Sequence, residues 1–189
     1  NYSSRYTLLE NLLDHVSDNT GIIATTGKCG RELFTITDRE QHLYQVGSMG
    51  CASGMGLGVS LNTNKPIIIL DGDGAALMKL GSIATIGTYA KNNLLHIVLD
   101  NGVHDSTGGQ ATVSPNVNFA QVAVACGYRE GILCNTADSF AEAFLKATQT
   151  NGPTLIHAKI SPGSISKLGR PSVSPRDVAL RFKSFIENG

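Results

Sequence analysis

No sign of charge prevails in this chain: Lys plus Arg number 15, and Asp plus Glu also number 15. Without a basic surplus there is no long-range field to hold nucleic acid or an anionic membrane surface. Local clusters remain able to bind a small anion. Tryptophan is absent, while Gly is abundant at 21 residues. The four cysteines, Cys29, Cys51, Cys126 and Cys134, show no C-x-x-C spacing. Neither a zinc site nor a disulfide framework is therefore expected, and the pattern suits reduced thiols in a cytoplasmic protein. No apolar run approaches the ~18 residues of a membrane span. No charged-then-apolar leader stands at the start, which is Asn1 and not Met, so a piece of something longer is expected. A length of 189 residues allows one domain with a substantial core, expected over residues 1–189.

Short apolar runs alternate with segments of helical period. Tyr6, Leu9, Leu12, Leu13 and Val16 recur at three- and four-residue steps, the mark of a helix face. Strands are expected at Ile22–Ala24, Ile67–Leu70, Leu94–Leu99 and Leu155–Ala158. The second and third are continuous, branched and bounded by turn residues, as strands buried on both faces are. Helices are expected at about 50–62, 75–91, 118–126 and 138–150, with a last one near 177–186. This alternation predicts an α/β fold of three layers, a mostly parallel sheet with helices on both faces. Gly50, Gly54 and Gly58, at every fourth residue, suggest a small-residue face for close helix packing. The stretch Ser161–Pro175, rich in Ser, Gly and Pro, reads as a loop or lid.

Ligands of such sheets sit at the carboxyl ends of strands, here after Val46, Leu70 and Leu99. The second of these loops reads Asp71-Gly72-Asp73-Gly74-Ala75. Its glycines permit a tight turn and close approach of a ligand, and the following helix start favours an anion. A carboxylate in such a turn repels a phosphate unless a cation stands between them. The next buried strand ends in Asp100-Asn101-Gly102-Val103, placing Asn101 28 residues after Asp73. Magnesium takes about six oxygens. Asp73, Asn101, a carbonyl near Val103, two phosphate oxygens and a water make such a set. Asp-Gly and Asn-Gly taken singly are ordinary turn signals; both at the ends of buried strands carry more weight.

Gly72-Asp73-Gly74 followed by Asn101 resembles the GDG…N signature of the thiamin-diphosphate (ThDP) enzymes, with Asp100 in place of the commoner first Asn. Thr25–Phe34, Gly47–Gly50, Leu99–Gln110 and Leu168–Pro171 further resemble the phosphonopyruvate decarboxylase family, over its carboxyl-terminal, diphosphate-binding half. The resemblance implies Asp73, Asn101 and the Val103 carbonyl as magnesium ligands, with Gly72, Gly74 and Ala75 around the diphosphate. It implies Gly47, Ser48 and Met49 beside the aminopyrimidine, Met49 propping the cofactor in its bent shape, and His104 within reach of cofactor or substrate. Lys28, Arg31 and Arg170 are candidates for the substrate's phosphonate, their alternative being solvated surface charge. His96 and His157, inside strand patterns, are expected to be packed and hydrogen-bonded.

The resemblance also implies what this chain must obtain elsewhere. In such enzymes a Glu on a pyrimidine-binding domain activates the cofactor, and no Glu here takes that role. A partner domain or subunit is therefore expected, the chain being inert alone and working within a homo- or hetero-oligomer. Non-oxidative decarboxylation of a 2-oxo acid is the implied activity, 3-phosphonopyruvate giving phosphonoacetaldehyde and CO2. The sulfopyruvate decarboxylase β subunit is the alternative within the family. A non-catalytic anion-binding or assembly module is the alternative outside it, with no need for the Asp73–Asn101 pair. A nicotinamide-binding fold is excluded because Leu77 stands where G-x-G-x-x-G needs its third Gly. A P-loop is excluded because Cys29 follows Gly27-Lys28 in place of Ser or Thr.

Overall fold

The computed structural model describes residues 2–188. Among the described residues six strands form one sheet, β1 (Gly21–Ala24), β2 (His42–Tyr44), β3 (Ile67–Gly72), β4 (Leu94–Asp100), β5 (Glu130–Cys134) and β6 (Thr154–Lys159). Their order is β2-β1-β3-β4-β6-β5 and every pair is parallel. The two central strands are the continuous branched runs of the sequence, and β4 is buried along its whole length. Branched side chains fill both faces of such a strand, which only helices on both sides can cover.

Those helices are α1 (Arg5–His15), α2 (Lys28–Ile36), α3 (Ala52–Leu61), α4 (Asp73–Met78), α5 (Gly81–Tyr89), α6 (Phe119–Ala125), α7 (Ala137–Gln149) and α8 (Pro175–Glu187). Helix α1 packs on α2 and α7 in one layer, while α3, α5 and α6 pack in the other. Right-handed crossovers require this split, because β1→β2 and β5→β6 run one way along the sheet and the other crossovers run the opposite way. Helix α8 lies against β2. Leu8, Leu9, Leu12, Phe119, Phe140 and Phe144 are among the largest fully buried side chains between the layers. Local chemistry starts the helices: Thr136 and Ser139 form a reciprocal capping box on α7, and Ser174 caps α8 with Pro175 in its first turn. Among the described residues no helix is long and apolar enough to cross a membrane.

Two local expectations change. The segment expected as one helix at 75–91 is two, broken at Lys79 and Leu80, and it begins earlier, at Asp73. The glycine that lets α3 close on the sheet is Gly56, where an added Cβ would lie 2.3 Å from Ile69 Cγ1. Gly54 and Gly58 face open space instead, because the helix turns that face outward. Only Gly50 of the expected trio is tightly placed, its φ being +89° and its missing Cβ 2.7 Å from the Ala75 carbonyl. A third expectation holds: residues 161–174 are a loop, an irregular strap. It leaves β6 near one side of the sheet and ends in α8 beside β2 at the opposite edge.

Candidate functional site

Pairing of β3 with β4 sets Gly72 opposite Leu99. Asp73 and Asn101 therefore leave the sheet side by side, one and two residues beyond the last paired positions. Both line a cavity of about 410 Å³, together with Met49, Gly72, Gly74, Ala75, Val103, His104 and Lys28. Gly74 is the point of convergence: a Cβ there would lie 2.7 Å from the His104 ring and 3.6 Å from Met49 Cε. No other residue leaves that space open.

The turn before α3 is shaped by backbone conformation. Gly47, Ser48 and Gly50 all have positive φ, Ser48 at +46° being the one residue other than Gly recorded with that conformation among the described residues. Gln45 holds it, its Nε2 donating to the Ser48 carbonyl at 3.0 Å. Gly47 and Ser48 are exposed and line neither cavity, while Met49 lines the first.

Asp73 is 2% exposed. Its Oδ2 accepts a hydrogen bond from Thr112 Oγ1 at 2.6 Å. Burial pushes its carboxyl above the usual carboxylate range, opposed by the Thr112 hydrogen bond and assisted by the charge of Asp100. Among the described residues no Lys, Arg or His lies at ion-pair distance from it. An anion buried without a cation is costly, so the carboxylate fits a divalent metal. Among the described residues no three His, Cys, Asp or Glu side chains are placed to hold a metal alone. A site of one carboxylate, one amide and a main-chain carbonyl suits magnesium, which takes further oxygens from phosphates and water.

Asp100 is treated differently. Lys159 Nζ at 2.5 Å and His157 Nε2 at 2.8 Å reach its Oδ2, while Ser114 Oγ donates to Oδ1 at 2.7 Å. Burial alone would raise its pKa, yet these bonds outweigh burial and hold it well below the carboxylate range. The Ser114 and Thr112 hydroxyls, 3.0 Å apart, join Asp100 to Asp73. Below the loop, His96 bridges the Asp71 carboxylate at 3.3 Å and the Tyr128 hydroxyl at 3.0 Å. His96 and His157 are thus packed and hydrogen-bonded, as their strand positions predict.

A second cavity of about 400 Å³ adjoins the first, sharing Thr25, Thr26, Lys28 and Ser106 with it. Arg31 and Arg170 line it, so the three cations singled out from the sequence meet here. Arg31 donates from Nε to the Gly169 carbonyl at 2.8 Å and from Nη2 to the Leu168 carbonyl at 2.9 Å. Cys29 lines the first cavity, but burial pushes its thiol up to about 12, far from thiolate chemistry. Glu32 and Asp105 stand inside the motif stretches Thr25–Phe34 and Leu99–Gln110, but nothing in those stretches gives either a role. Thr112, Ser114 and Arg5 lie outside the motifs and carry no spacing that would reveal them.

The model of the thiamine pyrophosphate enzyme, C-terminal TPP binding domain, matches residues 25–158. The chain belongs to that family. The domain is defined by binding thiamine pyrophosphate, which is ThDP. Among relatives of this ThDP-binding domain, phosphonopyruvate decarboxylase from Streptomyces viridochromogenes is 51% identical over 97% of this chain and 46% of its own length. Sulfopyruvate decarboxylase subunit beta from Methanocaldococcus jannaschii is 33% identical over 98% of both. The chain thus spans about half the length of the phosphonopyruvate decarboxylases it matches. Benzoylformate decarboxylase from Polynucleobacter necessarius shares the fold, with a TM-score of 0.66 at 18% identity over 85% of this chain and 33% of that one.

Proposed function

We propose that this chain is the single diphosphate-binding domain of a magnesium- and ThDP-dependent 2-oxo acid decarboxylase, acting on 3-phosphonopyruvate. The observation that carries the reading is the buried Asp73 carboxylate, without a cationic partner among the described residues, emerging beside Asn101 from adjacent parallel strands. Asp73, the Asn101 amide oxygen and the Val103 carbonyl hold the metal, and the backbone from Gly72 to Ala75 receives the diphosphate. Bound there, the cofactor supplies an electron sink for the bond to the departing CO2. Met49 and His104 pack around Gly74 and keep water from that part of the site. Lys28, Arg31 and Arg170 give the adjoining cavity the positive charge that a phosphonate requires. The activating Glu and the pyrimidine pocket belong to another domain or subunit. Coverage of only 46% of the phosphonate enzyme supports that division, as does full-length similarity to a chain named a β subunit.

That same full-length similarity favours one second reading, a sulfopyruvate decarboxylase β subunit. Measuring CO2 release by the complete enzyme from 3-phosphonopyruvate and from sulfopyruvate separates the two. The metal site is tested by calorimetric titration of Mg·ThDP into the complete enzyme. Removing one partner of a buried charge interaction costs roughly 3–5 kcal/mol, so Asp73→Ala weakens binding at least a hundredfold. Undiminished affinity in that variant would rule out the assignment.

A further inference from the structure

Asp105 lies outside the cofactor roles assigned above, yet it connects more of the site than any ligand does. Its Oδ2 accepts three hydrogen bonds, from the Asn101 amide Nδ2 at 2.8 Å, the Gly163 backbone N–H at 3.0 Å and Arg5 Nη2 at 3.2 Å. Lys28 Nζ stands 3.9 Å from Oδ1. A carboxylate only accepts. The Asn101 amide must therefore present its NH2 to Asp105, which fixes the opposite direction for its oxygen. That oxygen is held from the other side by the Val103 N–H at 3.1 Å.

Gly163 belongs to the strap. Its φ of +106° brings the N–H to Asp105 with no side chain in the way. Two residues on, the Ile165 N–H donates to Glu32 Oε1 at 3.3 Å, and Arg5 Nη1 lies 3.5 Å from that same oxygen. Glu32 is fully buried, so the strap is seated on an ionic knot inside the protein. Beyond it the Gly169 N–H reaches Thr35 Oγ1 at 2.9 Å, and Arg170 enters the second cavity. One oxygen of Asp105 thus serves both a residue of the metal loop and the start of the segment that walls the substrate cavity.

We infer that Asp105 is a positioning residue that orients the Asn101 amide for the metal and ties that orientation to the seating of the 161–170 strap. Cofactor loading and closure of the strap then reinforce each other. The inference rests on the reading of Asn101 as a metal ligand. Its physical content is reciprocity: if the seated strap favours Mg·ThDP, then Mg·ThDP favours the seated strap by the same factor.

The test uses the complete enzyme, with Mg·ThDP affinity from calorimetry and hydrogen exchange of residues 161–170 with and without cofactor. In the parent enzyme the cofactor slows exchange in the strap at least threefold. Asp105→Ala weakens Mg·ThDP tenfold or more and removes that slowing. Asp105→Asn keeps an acceptor oxygen for both donors, so it stays within threefold of the parent and retains the slowing. Equal weakening by the two substitutions would trace the effect to lost charge and overturn the inference. Gly163→Ala strains the strap without touching either cavity, and it weakens Mg·ThDP at least threefold even if Asp105→Ala does not fold. Affinity unchanged by Asp105→Ala or by Gly163→Ala, or strap exchange indifferent to cofactor, overturns the inference while leaving the metal site intact. Failure of the parent to bind Mg·ThDP, or full binding by Asp73→Ala, brings down the metal reading itself.

Discussion

Mild acid should weaken the β2 edge of this protein through one histidine, by an amount that can be worked out. His42 is fully buried in β2. Tyr44 donates its hydroxyl proton to Asp38 Oδ1 at 2.8 Å, which leaves the Tyr44 hydroxyl oxygen to accept from His42 Nδ1 at 3.3 Å. His42 Nε2 is buried without a partner. The neutral ring with its proton on Nδ1 suits this arrangement and a charged ring does not. Burial, assisted by the Arg39 charge, holds the imidazole at a pKa of about 4, against about 6.5 in an unfolded chain. Below pH 6.5 the unfolded chain therefore binds the proton first. The stabilisation is fully present above that pH and is lost as pH falls towards 4. At pH 5 the loss is about 2 kcal/mol, or about 4–8 °C in melting temperature for a chain of this size. Guanidinium unfolding at pH 7.5 and pH 5.0, with His42→Gln as comparator, reads the effect. The amide keeps a donor for Tyr44 and does not titrate, so the variant should lose about 2 kcal/mol less than the parent between the two pH values. An equal loss in both proteins would refute the reasoning. Glu32, whose pKa burial raises, works in the opposite direction in both and cancels in the comparison.

Four further outcomes, from three substitutions, are open to measurement. Gly56→Ala drives a methyl into Ile69 and should cost about 1–3 kcal/mol by overpacking; Gly54→Ala on the same helix meets nothing and should stabilise by about 0.5–1 kcal/mol, both read by thermal denaturation. Arg31→Gln frees the Leu168 and Gly169 carbonyls, so protease cleavage in the strap should rise. The same change should raise KM for 3-phosphonopyruvate more than for pyruvate, and equal rises would show that Arg31 holds only the strap.

Much of the fold was legible because the central strands announce themselves. Ile67–Leu70 and Leu94–Leu99, the latter broken only by His96, are short branched apolar runs bounded by turn residues, as buried strands are, and their ends carry the glycines and acidic or amide residues of the site. The strands β2 and β5 escaped notice for physical reasons: His42–Tyr44 is only one turn of the pleat, and Glu130-Gly131 opens β5 with a charge and a glycine. The break at Lys79 was equally hidden, since Leu77, Met78 and Leu80 continue an apolar pattern through it. Asp73, Gly74 and Asn101 were readable from the spacing of the two strand ends, and His104 from its place just past them; all four line one cavity. The hydroxyls of Thr112 and Ser114 and the Arg5–Glu32–Asp105 knot were not. Hydrogen bonds across 39 or 100 residues leave no trace in local pattern, and Ser or Thr in a loop is too common to be a signal.

The strap has one more property, which is slack. From β6 to β2 it crosses four interstrand spacings, roughly 19 Å at about 4.8 Å each. About 15 residues separate Lys159 from Pro175, enough to reach about 50 Å when drawn out. Its middle can bow outward to admit a molecule while β6 and α8 stay anchored, and then settle again without any part of the sheet coming undone.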